Sequence, residues 1–277
     1  MAGDKPAQPS CAKPSAASFQ DLAMWENRQA NKPPYTTCYL VTPDEEVYFC
    51  LLSKRLGDVT LEECNSALER ISDDKIYPKT PEDTALTMAP PYAPQGLSTS
   101  VFIKKPGLIS YDVVEGSDFI PRETLNEVFI MEQVSKLHHP NIIPYYGCVI
   151  RRGRIAGIAL QRLDQTLAQY AISKPGEFHK LDKSKFVDEV QSAVDSLHAI
   201  GPAHNDINPG NIMIKDGDGG AKMPVLIDFG SCGPFGKNLQ SCGSPGWFEE
   251  DFNTSERKHD EYSMGVLREW MKNPKPI

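Results

Sequence analysis

Apolar residues along this chain recur at two spacings, and each predicts a different kind of element. Short β-rich runs bounded by turn residues predict strands. Two such runs flank the polar turn Pro43–Glu46 within residues 36–53, and another is Val101–Lys104. Two more, at 145–150 and 154–160, flank Arg151–Gly153, and a last pair, Ile212–Lys215 and Val225–Ile227, flanks Asp216–Gly220. Helical spacing appears in three longer stretches. Thr60 and Glu63 form a capping box ahead of Leu61, Cys64, Leu68 and Ile71, which predicts a helix of about three turns. Leu125, Val128, Phe129, Val134 and Leu137 share a stripe between Pro121 and His138. Phe186, Val187, Val190, Val194 and Leu197 share another over Lys183–Ala199, with Gly201 as its stop. A short helix is expected over 165–171.

Two stretches carry neither spacing. Residues 1–35 are rich in Pro, Ala, Ser, Lys and Gln and poor in large apolar side chains, so a disordered tail is expected there. Several prolines in 78–97 predict an irregular linker, because proline lacks the donor that a strand interior needs.

Composition narrows the function classes. With 277 residues, 40% of them hydrophobic, the chain can bury a sizeable core. A net charge of -8 argues against a partner built on phosphate backbone, so no nucleic acid is expected. No apolar run approaches the length that spans a bilayer, and residues 1–35 lack the apolar core of a signal peptide, so no membrane is expected either. Seven cysteines, an odd number with no C-x-x-C pair, suggest neither a disulfide framework nor structural zinc. A reducing compartment is expected, the cytoplasm by default with the nucleus as the alternative.

The candidate chemistry lies in 204–230, HNDINPGNIMIKDGDGGAKMPVLIDFG. A hairpin brings both ends of this stretch to one side, so Asp206 and Asn211 are expected to approach Asp228. Magnesium prefers oxygen ligands and takes one or two carboxylates plus substrate phosphates. Asn211 and Asp228 offer such ligands. Asp206 is then left to accept a hydrogen bond from an attacking hydroxyl, the positioning role that phosphoryl transfer needs.

His204, Asp206 and Asn211 fit H-x-D-x-x-x-x-N, and Asp228-Phe229-Gly230 reads D-F-G. Together these motifs resemble the protein kinase superfamily. The wording HNDINPGNIMI, IDFGSCGPFG and GSPGW is similar to that of fungal-type protein kinase-like domain proteins, across residues 60–270. The resemblance implies an α+β, two-lobed protein-kinase-like fold. Its small β-rich N-lobe would span 98–163 and its shortened, mainly helical C-lobe 164–277, ending after the central helix. A tail over 1–35 and an extension and linker over 36–97 would precede them. The resemblance also implies ATP and Mg²⁺, with Asp206 as the hydroxyl-orienting base and Asn211 and Asp228 as metal ligands. Lys104 would hold the phosphates, Glu127 would hold Lys104, and adenine would lie against the backbone near Gln161 and Leu163. His204 and Asp260 would be structural anchors, and Ser231–Trp247 the activation segment.

Two choices stay open at this level. Lys105 rivals Lys104, and adjacent strand residues face opposite sides of a sheet. Glu132 rivals Glu127, and the two lie about 140° apart on a helix. The chain also departs from the family pattern. No G-x-G-x-x-G precedes Lys104, where Gly96 stands alone, and Asn205 and Asn208 replace the usual arginine and lysine. The expected function is a Ser/Thr-type protein kinase acting with a protein substrate or binding partner, of no assigned oligomeric state. A pseudokinase serving as a binding module and a small-molecule phosphotransferase are the alternatives.

Overall fold

A computed structural model describes residues 13–28, 32–90, 100–109, 111–239 and 243–275. Gly96, Cys11, Cys242 and residues 1–12 and 29–31 of the expected tail lie outside them. The chain divides into two compact units, Met1–Ile76 with Gly107–Ser117, and Tyr77–Pro106 with Asp118–Ile277. The continuous part of the first unit ends just ahead of the stretch 78–97.

The first unit is an antiparallel meander of β1 (Leu22–Asn27), β2 (Tyr35–Val41), β3 (Val47–Leu52) and β4 (Glu69–Ile71). The β2–β3 hairpin is the one expected around Pro43–Glu46. Its loop closes through Glu45 N–H to Thr42 O (2.9 Å) and Glu46 N–H to Thr42 Oγ1 (3.1 Å), with Glu45 at φ 63. Strand β1 corrects the tail expectation: it pairs with β2 from Leu22↔Leu40 to Asn27↔Tyr35. The composition of the whole stretch had averaged out this one short apolar run, which finds an open sheet edge to pair with.

Helix α1 (Leu61–Ala67) starts at the predicted capping box, with Glu63 N–H to Thr60 Oγ1 at 3.2 Å and Thr60 N–H to Glu63 Oε2 at 3.0 Å. It is shorter than the expected three turns. The backbone turns extended at Leu68, which is fully buried, and Ile71 pairs with Val47 in β4 instead of continuing the stripe. Helix α2 (Tyr111–Val114) belongs to the same unit. The Tyr111 ring meets Phe49 at 5.1 Å, and Tyr35 donates to Asp112 Oδ2 at 2.6 Å.

The second unit begins with β5 (Val101–Lys104), α3 (Phe119–Val134), β6 (Tyr145–Arg151) and β7 (Arg154–Gln161), whose strands form an antiparallel sheet in the order β5-β7-β6. The expected linker is held against this sheet as far as residue 89. Ile155 N–H bonds to Pro78 O (2.9 Å), Cys148 N–H to Thr87 O (2.7 Å) and Ala89 N–H to Cys148 O (3.0 Å). Prolines remove donors but leave carbonyls, which the sheet uses here. Gly147, at φ +120, permits the approach, since a Cβ there would stand 2.6 Å from Thr87 O.

The remainder is α4 (Leu167–Ser173), α5 (Pro175–Phe178), α6 (Lys183–Ala199), β8 (Pro202–Ala203), β9 (Ile212–Asp216), β10 (Lys222–Leu226), β11 (Gly233–Pro234) and α7 (Arg257–Lys272). Helix α6 spans the predicted residues, and its stripe of Phe186, Val187, Val190, Val194 and Leu197 is buried in one core with Met264, Leu267 and Met271 of α7. Full burial of such side chains contributes about 1.5–3 kcal/mol each. The architecture is α+β. No described helix is long and apolar enough to cross a membrane.

Candidate active site

Strands β9 and β10 pair antiparallel from Ile212↔Leu226 outward, and Ile227 N–H bonds to Asn211 O at 3.0 Å. Asn211 and Asp228 therefore stand at the open end of one hairpin. The Asn211 amide donates to Asp206 Oδ2 (2.8 Å) and to Asp206 O (2.9 Å). Asp206 Oδ1 accepts from Asn208 Nδ2 (3.0 Å) and from the Ser244 backbone N–H (2.7 Å). These donors hold the carboxylate in one orientation. The last of them depends on Gly243, where a Cβ would stand 2.6 Å from Asn205 O.

The loop carrying Asp206 hangs from a buried acid on α7. Asp260, with no solvent exposure, accepts from His204 N–H (2.8 Å), Asn205 N–H (2.8 Å) and His198 Nε2 (2.7 Å). The His204 ring donates through Nε2 to Ile227 O at 3.0 Å, which ties the loop to the residue before Asp228. Asn205, at φ 64, is buried and donates to Ala203 O (3.0 Å), Ser231 O (2.9 Å) and Ser255 Oγ (3.0 Å). Where the resembled family carries a cation, this chain uses a neutral amide to fasten the loop to the segment after D-F-G.

Lys104 Nζ lies 2.6 Å from Glu127 Oε1 and 2.8 Å from Asp228 Oδ1. Burial pushes the ammonium down, but the two carboxylates outweigh it and Lys104 is pushed up to about 12. Burial, with Asp228 adding to it, raises Glu127 above its ordinary value despite Lys104. For Asp228 burial raises and Lys104 lowers, and the net direction is down. An ammonium has three donors, so one remains for a further acceptor. Asp228 itself sits at φ 62, a region costly for a residue with a side chain.

The rival acid is engaged elsewhere. Glu132 accepts from Thr87 N–H (2.7 Å), Thr87 Oγ1 (2.9 Å) and Tyr145 OH (2.8 Å). Of the two lysines, Lys104 is the one joined to Glu127 and Asp228. At the expected hinge, the Gln161 N–H is committed to Pro144 O (3.0 Å), so that donor is not open to a ligand. The Leu163 backbone makes no hydrogen bond among the described residues.

Sequence reasoning missed Ser244 as a partner of Asp206, since nothing in the spacing of GSPGW points back across the chain. It also missed Glu123, which burial pushes up to about 7. Glu123 lines a pocket of about 260 Å³ with Asn126, Phe129, Ser231, Cys232 and Leu239.

The donor set fits a hard divalent cation. Asn211 Oδ1 accepts no hydrogen bond among the described residues, and Asp228, its side chain 45% exposed, keeps its second oxygen unbonded there. Oxygen donors of this kind, with room left for water and phosphate, are what Mg²⁺ takes.

The protein kinase domain model matches residues 110–276, more than half of the 277. The chain belongs to the protein kinase domain family. Among its relatives is the serine/threonine-protein kinase/endoribonuclease IRE1 of Hypocrea jecorina, 33% identical over 39% of this chain and 10% of that protein. A Dictyostelium discoideum protein named "Probable myosin light chain kinase" is 32% identical over 52% of this chain and 46% of its own length. The human serine/threonine-protein kinase/endoribonuclease IRE2 is 30% identical over 38% of this chain and 11% of that protein. The chain thus spans about a tenth of two of these kinases and under half of the third.

Proposed function

We propose that this protein kinase domain transfers the γ-phosphoryl group of ATP, in the presence of Mg²⁺, to a serine or threonine hydroxyl of a protein substrate. The observation that carries the reading is Lys104 held between Glu127 and Asp228, a cation fixed beside the acid best placed to hold a metal. In this reading 98–163 forms a small lobe and 164–277 a larger one, and the protein works in the cytoplasm.

Each residue has a physical role. Asp206 orients the attacking hydroxyl and accepts its proton, its own orientation set by Asn208, Asn211 and Ser244. Lys104 turns its remaining donor to a phosphate oxygen, while Glu127 keeps the ammonium in place. Asn211 Oδ1 and Asp228 would hold the metal, which when bound neutralises charge on the phosphates. Leu163 offers its free backbone groups to the adenine edge. Asn208 is neutral where the resembled kinases carry lysine, so charge compensation on the transferred group rests more heavily on Lys104.

A second reading, a binding module of kinase fold, is favoured by the missing glycine-rich loop before Lys104. One pair of measurements separates the two. Mg-ATP should raise the melting temperature, because a ligand of the folded state stabilises it. Label from γ-labelled ATP should pass to protein and should vanish in Asp206→Ala while the melting shift persists. A melting shift without transfer in the parent protein would leave the binding module. Neither shift nor transfer would sink both readings.

A further inference from the structure

Cys38, Cys50 and Cys64 converge in the first unit, remote from one another in sequence. Their sulfur atoms lie within 4.8 Å of one another, and Cys38 Sγ is 3.4 Å from Cys64 Sγ. All three are buried, Cys38 and Cys64 completely. Cys38 and Cys50 are register partners on β2 and β3, so both leave the same face of the sheet. Cys64 reaches that face from α1, whose start is fixed by the Thr60–Glu63 box and by the ion pair of Glu63 with Lys54. Met24, the register partner of Cys38 on β1, packs against the apolar core to which all three cysteines belong.

The donor set is soft throughout. Among the described residues no His, Asp or Glu joins the three thiols. A first-row d¹⁰ ion sits about 2.3 Å from thiolate sulfur, and three sulfurs around it in a plane then stand about 4.0 Å apart. That spacing falls between the 3.4 Å contact and the 4.8 Å limit found here. Thiolates hold both zinc and Cu(I), but closed zinc sites take four ligands in a tetrahedron, whereas three sulfurs in a plane satisfy Cu(I). We propose that Cys38, Cys50 and Cys64 bind one monovalent copper ion.

Each ligating thiol gives up its proton, so loading one Cu⁺ releases three H⁺ and leaves a local charge of about -2. Lys13, whose ammonium donates to Ser66 O at 2.9 Å at the end of α1, lies on the same unit to offset part of it. Binding would also cross-link two strands and a helix in a unit with a small core, the situation in which a metal adds most to stability.

The test uses the reduced 277-residue chain under anaerobic conditions, titrated with Cu(I) against the chelator bathocuproine disulfonate. One copper withdrawn per chain is expected, with X-ray absorption showing a sulfur-only shell at about 2.3 Å. Cys50→Ser should lose the competition, and Cys148→Ser should keep it. Should Cys50→Ser fail to fold, the absorption spectrum of the parent protein decides in its place. No withdrawal, a nitrogen or oxygen shell, equal uptake by folded Cys50→Ser, or uptake of Zn²⁺ in preference to Cu(I) would each overturn the proposal.

Discussion

Replacing Asp260 tests how the loop bearing Asp206 is held. Two backbone N–H groups and one imidazole N–H converge on a carboxylate with no solvent exposure. In Asp260→Ala all three lose their acceptor, at about 1–3 kcal/mol for each buried donor left unpaired. The sum is about 3–9 kcal/mol, and water entering the vacated space should keep the observed loss in the lower half, about 4 kcal/mol. Asp260→Asn is the informative control. Its amide oxygen can still serve His198 and His204, while its NH₂ faces the Asn205 N–H, so about 2 kcal/mol should go. Urea unfolding in a Trp25→Phe background leaves Trp247 and Trp270 of the chain's three tryptophans as reporters. Both are buried in the core that α7 completes, and Ser263 of that helix donates to Trp247 O at 2.8 Å. An alanine variant within about 1 kcal/mol of its parent, or an asparagine variant as costly as alanine, would refute the acceptor count as the reason the loop stays in place.

Other outcomes follow from the same geometry. Lys104→Met should lower phosphoryl transfer by at least about 100-fold, since the cation that bridges Glu127 and Asp228 is lost; a radiolabel assay checks it. Glu132→Ala should cost about 2 kcal/mol in urea unfolding by freeing Thr87 and Tyr145, with transfer per folded molecule unchanged. Glu127→Gln should do the reverse and weaken transfer. Gly243→Ala should displace the Ser244 N–H from Asp206 and reduce transfer while leaving the Mg-ATP melting shift intact. A carboxyl raised from 4.5 to about 7 holds a proton in the folded state that the unfolded state has released. Stability therefore falls as pH rises between these values. Melting temperatures from pH 4.5 to 7 should show a shallower fall in Glu123→Gln than in the parent, and parallel curves would remove Glu123 as a cause.

What could be read from the sequence divides by the distance over which an argument must reach. The hairpin from Ile212 to Leu226 needs only its own turn, and helix α6 needs only its own stripe, so both were legible. Asn211 and Asp228 follow from that hairpin, because pairing fixes what stands at its open end. Strand β1 was hidden because six strand residues were averaged with a polar tail, and α1 was overextended because helical spacing cannot tell Leu68 and Ile71 in a helix from the same residues buried at a sheet edge. Neither error required a new kind of interaction. Both arose where a tertiary surface decided between two locally acceptable conformations.

The same distinction explains why the two clusters of chemistry were not equally visible. Asn211 and Asp228 are brought together by one hairpin, and Cys38 and Cys50 by another, so each pair is a local consequence of register. The member that completes each cluster arrives from elsewhere: Lys104 from β5, with its choice over Lys105 made by which face of the strand meets α3, and Cys64 from α1 lying over the β2–β3 face. For the kinase site a family motif stood in for that missing long-range information and pointed to Lys104 and Glu127. For the three cysteines no motif exists, and the absence of C-x-x-C spacing pointed away from a metal. Spacing rules detect sites whose ligands share a loop; a site assembled from two strands and a helix obeys the same coordination chemistry and leaves no such trace.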